Sequence, residues 1–171
     1  MNMGLDQLRY WFALVVKSRC EFKAEEELNA LGVQSYLPST TVVRKWSDRK
    51  KEIVVPIIRG YIFIHANEIE RRYSLEQKSI IKCLFDGGRP ANIPDWQIEN
   101  LKKILEHKPE ITVEKGLTLG DNVKIIDGPF EGVLGVLQFK DGNRTLSVSI
   151  DLIHRSIVVR LPVASVVKVL D

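Results

Sequence analysis

Residues 120–135 read Gly120-Asp121-Asn122-Val123-Lys124-Ile125-Ile126-Asp127-Gly128-Pro129-Phe130-Glu131-Gly132-Val133-Leu134-Gly135. Glycine recurs at Gly120, Gly128, Gly132 and Gly135, and Pro129 stands among them. Val123, Ile125 and Ile126 form a short strand-like run before a turn at Asp127-Gly128-Pro129, and Val133, Leu134, Val136 and Leu137 resume a strand after it. This spacing predicts a chain that bends sharply twice within a small barrel. Glycine supplies positive φ and room for close backbone approach, and proline fixes the turn. A plain Gly-rich hairpin shares these features, so the reading depends on the rest of the chain.

Upstream, residues 9–17 (Arg-Tyr-Trp-Phe-Ala-Leu-Val-Val-Lys) are aromatic and β-branched and predict a buried first strand. A helix is expected from Ser18, with Glu21 three residues on as a capping box. Ala24, Leu28 and Leu31 fall on one face of that helix, Glu25, Glu26 and Glu27 face water, and Gly32 closes it. Val33 to Leu37, a basic hairpin tip and a strand Gly60-Tyr61-Ile62-Phe63-Ile64 follow. Pro94-Asp95 opens a later helix with Ile98, Leu101, Ile104 and Leu105 on one face, and Pro109 follows its end. Residues 110–116 lack a strong pattern and read as a tether.

The run at 120–135 resembles the KOW motif of small SH3-like barrels attached to ribosomes and RNA polymerase. Trp11, Lys23-Ala24, Tyr36-x-Pro38, the basic tip and Gly60-Tyr61-Ile62-Phe63, in that order, resemble the N-terminal domain of the NusG family of transcription elongation factors. Together the two resemblances cover nearly the whole chain. They imply an α+β protein: an N-terminal α/β sandwich with a mainly antiparallel sheet, and a small C-terminal SH3-like KOW β-barrel. The expected division is a first domain over 1–109, a linker over 110–118 and a barrel over 119–171.

Composition fits this class. The chain has 171 residues, 44% of them apolar, and a net charge of +3. No apolar run approaches the roughly 18 residues of a membrane helix, and no signal-peptide pattern opens the chain. The expectation is a soluble, cytoplasmic monomer without membrane contact. Residues 1–110 carry 18 Lys and Arg against 15 Asp and Glu, and residues 111–171 carry 7 of each. So small an excess suits glancing nucleic-acid contact, with a protein partner supplying the main grip. Cys20 and Cys83 have no close spacing, so neither a disulfide framework nor a zinc site is indicated.

Catalytic patterns are missing from the sequence. His65, His107 and His154 are scattered, and no Gly-x-Ser-x-Gly motif or paired-carboxylate signature occurs. The Gly-rich stretch leads into a strand and not into a helix N-terminus, so the usual phosphate cradle is ruled out. No enzyme activity, cofactor or metal is expected.

The resemblance implies binding sites. The first domain would seat on the clamp helices of RNA polymerase through an apolar groove, at Trp11, Val15, Ile58, Tyr61 and Phe63; a core role is the alternative for each. Arg72 and Tyr73 match the region that meets the opposite side of the polymerase channel. Arg44, Lys45, Trp46, Arg49, Lys50 and Lys51 form the basic tip, where Trp46 can stack on an exposed base. Lys17 and Lys78 match places where specialised relatives touch the displaced DNA strand. In the barrel, Phe130 and the loop residues Leu152 and Ile153 are candidate contacts for the termination factor Rho or a small-subunit ribosomal protein, and a core-capping role is the alternative for Ile153. Many relatives carry Phe-Pro where this chain has Ile58-Arg59, a departure that points to a specialised paralog of the RfaH or UpxY type. The implied function is elongation and antitermination, with read-through of a long operon such as one for surface polysaccharide. A KOW-type RNA-binding or ribosome-associated protein is the alternative, and the neutral charge of residues 111–171 weighs against it.

Overall fold

Tyr10–Val16 extends as strand β1 inside a five-stranded sheet of the computed structural model, which describes residues 7–171. Residues 1–6 of the expected first domain lie outside the described residues. The chain divides into two compact units, Met1–Ile93 and Pro94–Asp171.

In the first unit, β1 pairs antiparallel with β5 (Tyr61–Ala66), and β5 pairs with β2 (Gln34–Tyr36). On its other edge β1 meets β6 (Ile80–Cys83) and β9 (Asn92–Ile93). Side chains alternate across a strand. Phe12, Leu14 and Val16 therefore join Ile62, Ile64 and Ala66 on one face, where Ala24 and Leu28 complete a core. These helix residues belong to α1 (Glu21–Ala30). A separate hairpin joins β3 (Ser39–Lys45) to β4 (Lys50–Pro56), and a smaller one joins β7 (Phe85–Asp86) to β8 (Arg89–Pro90).

Two local expectations are corrected at α1. Its N-cap is Cys20, which makes no side-chain cap, so Ser18 and Glu21 form no capping box. Glu21 is instead buried, and its Oε1 accepts the Gly60 N–H at 3.0 Å. The reciprocal box stands at α2 (Glu68–Leu75): the Glu70 N–H donates to Asn67 Oδ1 at 2.8 Å, and the Asn67 N–H donates to Glu70 Oε2 at 2.9 Å. Leu31 caps the C-terminus of α1 and is 45% exposed, outside the stripe of Ala24 and Leu28. Nor is Glu27 free in water, since its Oε2 accepts the Ser79 N–H at 3.0 Å.

The second unit opens with α3 (Asp95–Glu106) and then β10 (Ile111–Lys115), β11 (Asp121–Asp127), β12 (Leu134–Lys140), β13 (Asn143–Ile150), β14 (Arg155–Arg160) and β15 (Val166–Val169). The six strands form one antiparallel sheet in the order β10-β14-β13-β12-β11-β15. Val123, Ile125, Val133, Leu146, Ile157 and Val159 are buried in it. The tether expectation is corrected here. Ile111, Thr112 and Val113 pair with Val159, Val158 and Ile157, so the segment is an edge strand. Beyond it, the Gly116 N–H donates to the His154 carbonyl at 2.9 Å and Ser156 Oγ donates to the Gly116 carbonyl at 2.8 Å. Thr118 Oγ1 lies 2.7 Å from Ser147 Oγ. The sequence expectation put α3 with the first domain; its packing groups it with the second unit. Residues 157–167 are strands and a connecting loop that holds Pro162.

Gly128 and Gly135 perform the tasks their spacing predicts. Gly128 turns the chain at φ 111°. A Cβ on Gly135 would sit 2.7 Å from the Ser147 carbonyl oxygen, so only glycine allows β12 to approach β13 this closely.

Candidate functional site

The register of β1 with β5 collects Trp11, Val15, Tyr61 and Phe63 of the expected groove residues on one face, while Ile58 lies in the bend before β5. Trp11 lies opposite His65, Ala13 opposite Phe63, and Val15 opposite Tyr61. The Trp11 and His65 rings stack at 5.1 Å between centroids. On the outer strand Tyr36 is registered with Phe63 and joins the same face, a member the site reasoning did not include. Trp11, Ile58 and Phe63 are buried, with Phe63 at 0% exposure, whereas Val15, Tyr61 and Tyr36 are half-buried. Val15 and Tyr61 are therefore the expected groove residues that still offer surface.

The β3–β4 hairpin carries the basic tip. Lys45 faces Lys50, and the Trp46 N–H donates to the Arg49 carbonyl at 2.8 Å, closing a tight turn. Arg44, Lys45, Trp46, Arg49, Lys50 and Lys51 are all exposed, Trp46 at 63%. An indole at the end of a two-stranded arm, ringed by cations, can stack on a base while its neighbours meet phosphates. Lys17 and Lys78 are exposed and brought to one place, since the Lys17 N–H donates to the Ser79 carbonyl at 2.9 Å.

On α2, Arg72 and Tyr73 are exposed, and Arg72 Nε donates to Glu68 Oε1 at 3.0 Å. Arg71 beside them is buried and forks onto Glu68 at 2.8 and 2.7 Å, holding that carboxyl below the usual carboxylate range. Arg9 does the same to Glu70 with contacts of 2.7 and 3.1 Å. Burial pushes the Cys83 thiol up, as expected of an inert core cysteine.

In the second unit the contact expectation for Phe130 is corrected, and for Ile153 the core alternative holds. Phe130 is 3% exposed and meets the His107 ring edge-on at 5.5 Å. The loop after β13 is a 3-10 turn, Asp151–Ile153, that tucks Ile153 in at 5% exposure and leaves Leu152 half-buried. Gly120, Asp121, Gly128, Pro129, Gly132 and Gly135 lie at the start of β11 and around the turn from β11 to β12, with Val123 in the core. Sequence reasoning missed the polar side of α3. Gln97 Nε2 donates to Asp151 Oδ2 at 2.8 Å, and the Asp151 N–H donates to Gln97 Oε1 at 3.1 Å. Both Gln97 and Asn100 are buried, and they stand out of the apolar stripe that the helical period selects.

Among the described residues no group of three or more His, Cys, Asp or Glu is placed to hold a metal ion, and no helix is long and apolar enough to cross a membrane. A helix-flanked antiparallel sheet, a separate basic two-stranded hairpin and a second antiparallel sheet define a protein of mixed α/β architecture. A family model described as "Transcription termination factor nusG" matches residues 9–102, more than half of the chain, and the chain belongs to the NusG family. That family comprises transcription factors and not enzymes. Among solved structures the chain is similar to one titled "Domain interaction in Thermotoga maritima NusG", at 23% identity over 95% of this chain and 98% of that one, with a TM-score of 0.49. It is also similar to the MjSpt4:Spt5 complex in conformation B, at 16% identity over 94% and 97% of the two chains, with a TM-score of 0.36.

Proposed function

We propose that this chain is a transcription elongation and antitermination factor that binds RNA polymerase through its first unit. The single observation that carries the reading is the family match over residues 9–102, which spans β1, β5 and the basic hairpin together. The half-buried pair Val15 and Tyr61 would receive a clamp helix of the largest polymerase subunits, on the face that also carries Trp11 and Phe63, with the buried Ile58 just before β5. Arg72 and Tyr73 would meet the opposite side of the channel. Lys17, Lys78 and the hairpin tip would contact the displaced DNA strand. The mechanism requires no bond chemistry: a bridge across the channel keeps the clamp closed and suppresses pausing.

The second unit is proposed as an SH3-like KOW barrel that recruits Rho or a small-subunit ribosomal protein. Its six antiparallel strands and the Gly128-Pro129 turn support that reading. Ile58-Arg59 supports a specialised paralog of the RfaH or UpxY type that promotes read-through of a long operon; such a factor would act in the cytoplasm as a monomer. The test is capture of purified core RNA polymerase by the full chain, followed by single-round transcription across a pause site and a Rho-dependent terminator. The expected result is retention of the largest subunits and shorter pauses. Failure to retain polymerase, or no change in pausing, would overturn the proposal.

A further inference from the structure

Beside the base of the hairpin, the first unit holds a cleft of about 870 Å³, of whose lining the family reading uses only Arg44. Three arginines line it from three separate parts of the chain: Arg19 from the turn between β1 and α1, Arg44 from β3, and Arg59 from the turn before β5. All three are exposed, and none forms an ion pair with another described residue. The one acid in the lining is Glu21, whose Oε1 is engaged by the Gly60 N–H at 3.0 Å. Arg19 is held at φ 61°, a conformation uncommon for a residue with a Cβ. Phe22, 37% exposed in the first turn of α1, supplies an aromatic wall.

We propose that this cleft binds a nucleoside polyphosphate. Guanidinium groups match phosphate oxygens bidentately and keep their charge at every physiological pH. A cleft of this volume fits one ligand of nucleotide size. Three arginines drawn from distant segments into one concavity suit a single dense charge. A nucleic-acid strand spreads its phosphates along an extended groove and is better served by the open hairpin tip. Phe22 gives the base a face to stack on, so the base adds affinity beyond that of the phosphates. The proposal is independent of polymerase binding.

The experiment is calorimetric titration of the full chain with GTP, inorganic triphosphate and a twelve-residue oligothymidylate. GTP is expected to bind saturably, one per chain, and triphosphate more weakly. Arg19→Gln and Arg59→Gln should each lower GTP affinity about tenfold, while Arg160→Gln, exposed in the second unit, should leave it unchanged. Phe22→Ala should weaken GTP and spare triphosphate. The proposal fails if the native chain shows no saturable GTP binding at millimolar ligand, or if GTP binding survives loss of Arg19 and Arg59. It fails equally if the oligothymidylate displaces GTP from those arginines, which would make the cleft a strand contact. Equal weakening of GTP and triphosphate by Phe22→Ala would remove the base from the site and overturn the nucleoside assignment.

Discussion

Asn100 holds Leu134 by both of its backbone groups: Asn100 Nδ2 donates to the Leu134 carbonyl at 2.8 Å, and the Leu134 N–H donates to Asn100 Oδ1 at 3.2 Å. The carboxamide is buried, and its partner is the first residue of β12. Helix α3 is thereby tied to the strand that follows the Gly-rich turn. Removal of a buried hydrogen-bonding group that leaves its partners unsatisfied costs about 1–3 kcal/mol. Asn100→Ala should lower the stability of the 94–171 unit by that amount, read from denaturant unfolding. Asn100→Asp would bury a carboxylate with one oxygen against the Leu134 carbonyl, so at neutral pH it should cost at least as much as the alanine.

The two central groove residues should separate cleanly. Phe63 is fully buried, and Phe63→Ala is expected to cost about 3–5 kcal/mol of folding stability. Tyr61 is half-buried and faces Val15, so Tyr61→Ala should leave the fold intact and weaken polymerase capture by about 2 kcal/mol. Paired thermal melts and binding isotherms make the comparison. Unfolding of Tyr61→Ala would mark it as core and remove the groove assignment.

Charge reversal at Arg49, Lys50 and Lys51 should leave the melting temperature nearly unchanged, because these side chains are exposed. The same variant should lose pause suppression most strongly at low ionic strength, where charges act over a longer range. Transcription assays at two salt concentrations read the difference, and equal activity of the variant at low salt would reduce the tip to a solvated loop.

Acid should weaken the first unit through α2. Arg71 holds the Glu68 carboxyl low, and Arg9 with the Asn67 amide does so for Glu70. A carboxyl lowered in the folded state adds stability that is fully present above the ordinary glutamate range and is lost as pH falls through the lowered folded values. Glu25, raised by burial and by Glu26 beside it, acts in the opposite sense. Urea unfolding of the native chain should therefore show stability falling from pH 5 to pH 3 (the window about the ordinary glutamate value). Glu68→Gln should flatten that slope, and an unchanged slope would assign the acid response to other groups.

The Gly-rich turn, β1 and the Ile98, Leu101, Ile104 face of α3 were legible because each is a local pattern with a mechanical cause. Strand β10 was not, because Val113 finds its partner Ile157 far along the chain and a five-residue edge strand has little pattern of its own. The misplaced capping box has a different origin. Ser18 and Asn67 both precede a glutamate at the third following position, and the spacing alone does not tell which is used. Glu21 was drawn away by the Gly60 N–H, a tertiary contact absent from any local window. Buried Gln97 and Asn100 were hidden for the same reason, since their satisfaction depends on Asp151 and Leu134. The face shared by Val15 and Tyr61 required the β1–β5 register, and the arginine cleft required three distant segments to meet.

Strand β15 closes the order of the second sheet with one side unpaired, and its sequence is Val166-Val167-Lys168-Val169. Val166 is 45% exposed and Val169 55%. An open row of valines is a template on which further chains stack, and a lone charge within it is how natural sheets stay dispersed. Lys168 is the one charged side chain of that edge strand, and its removal would leave valines alone along the open side. With Lys168→Val, light scattering should show particles growing with protein concentration although the melting temperature hardly moves.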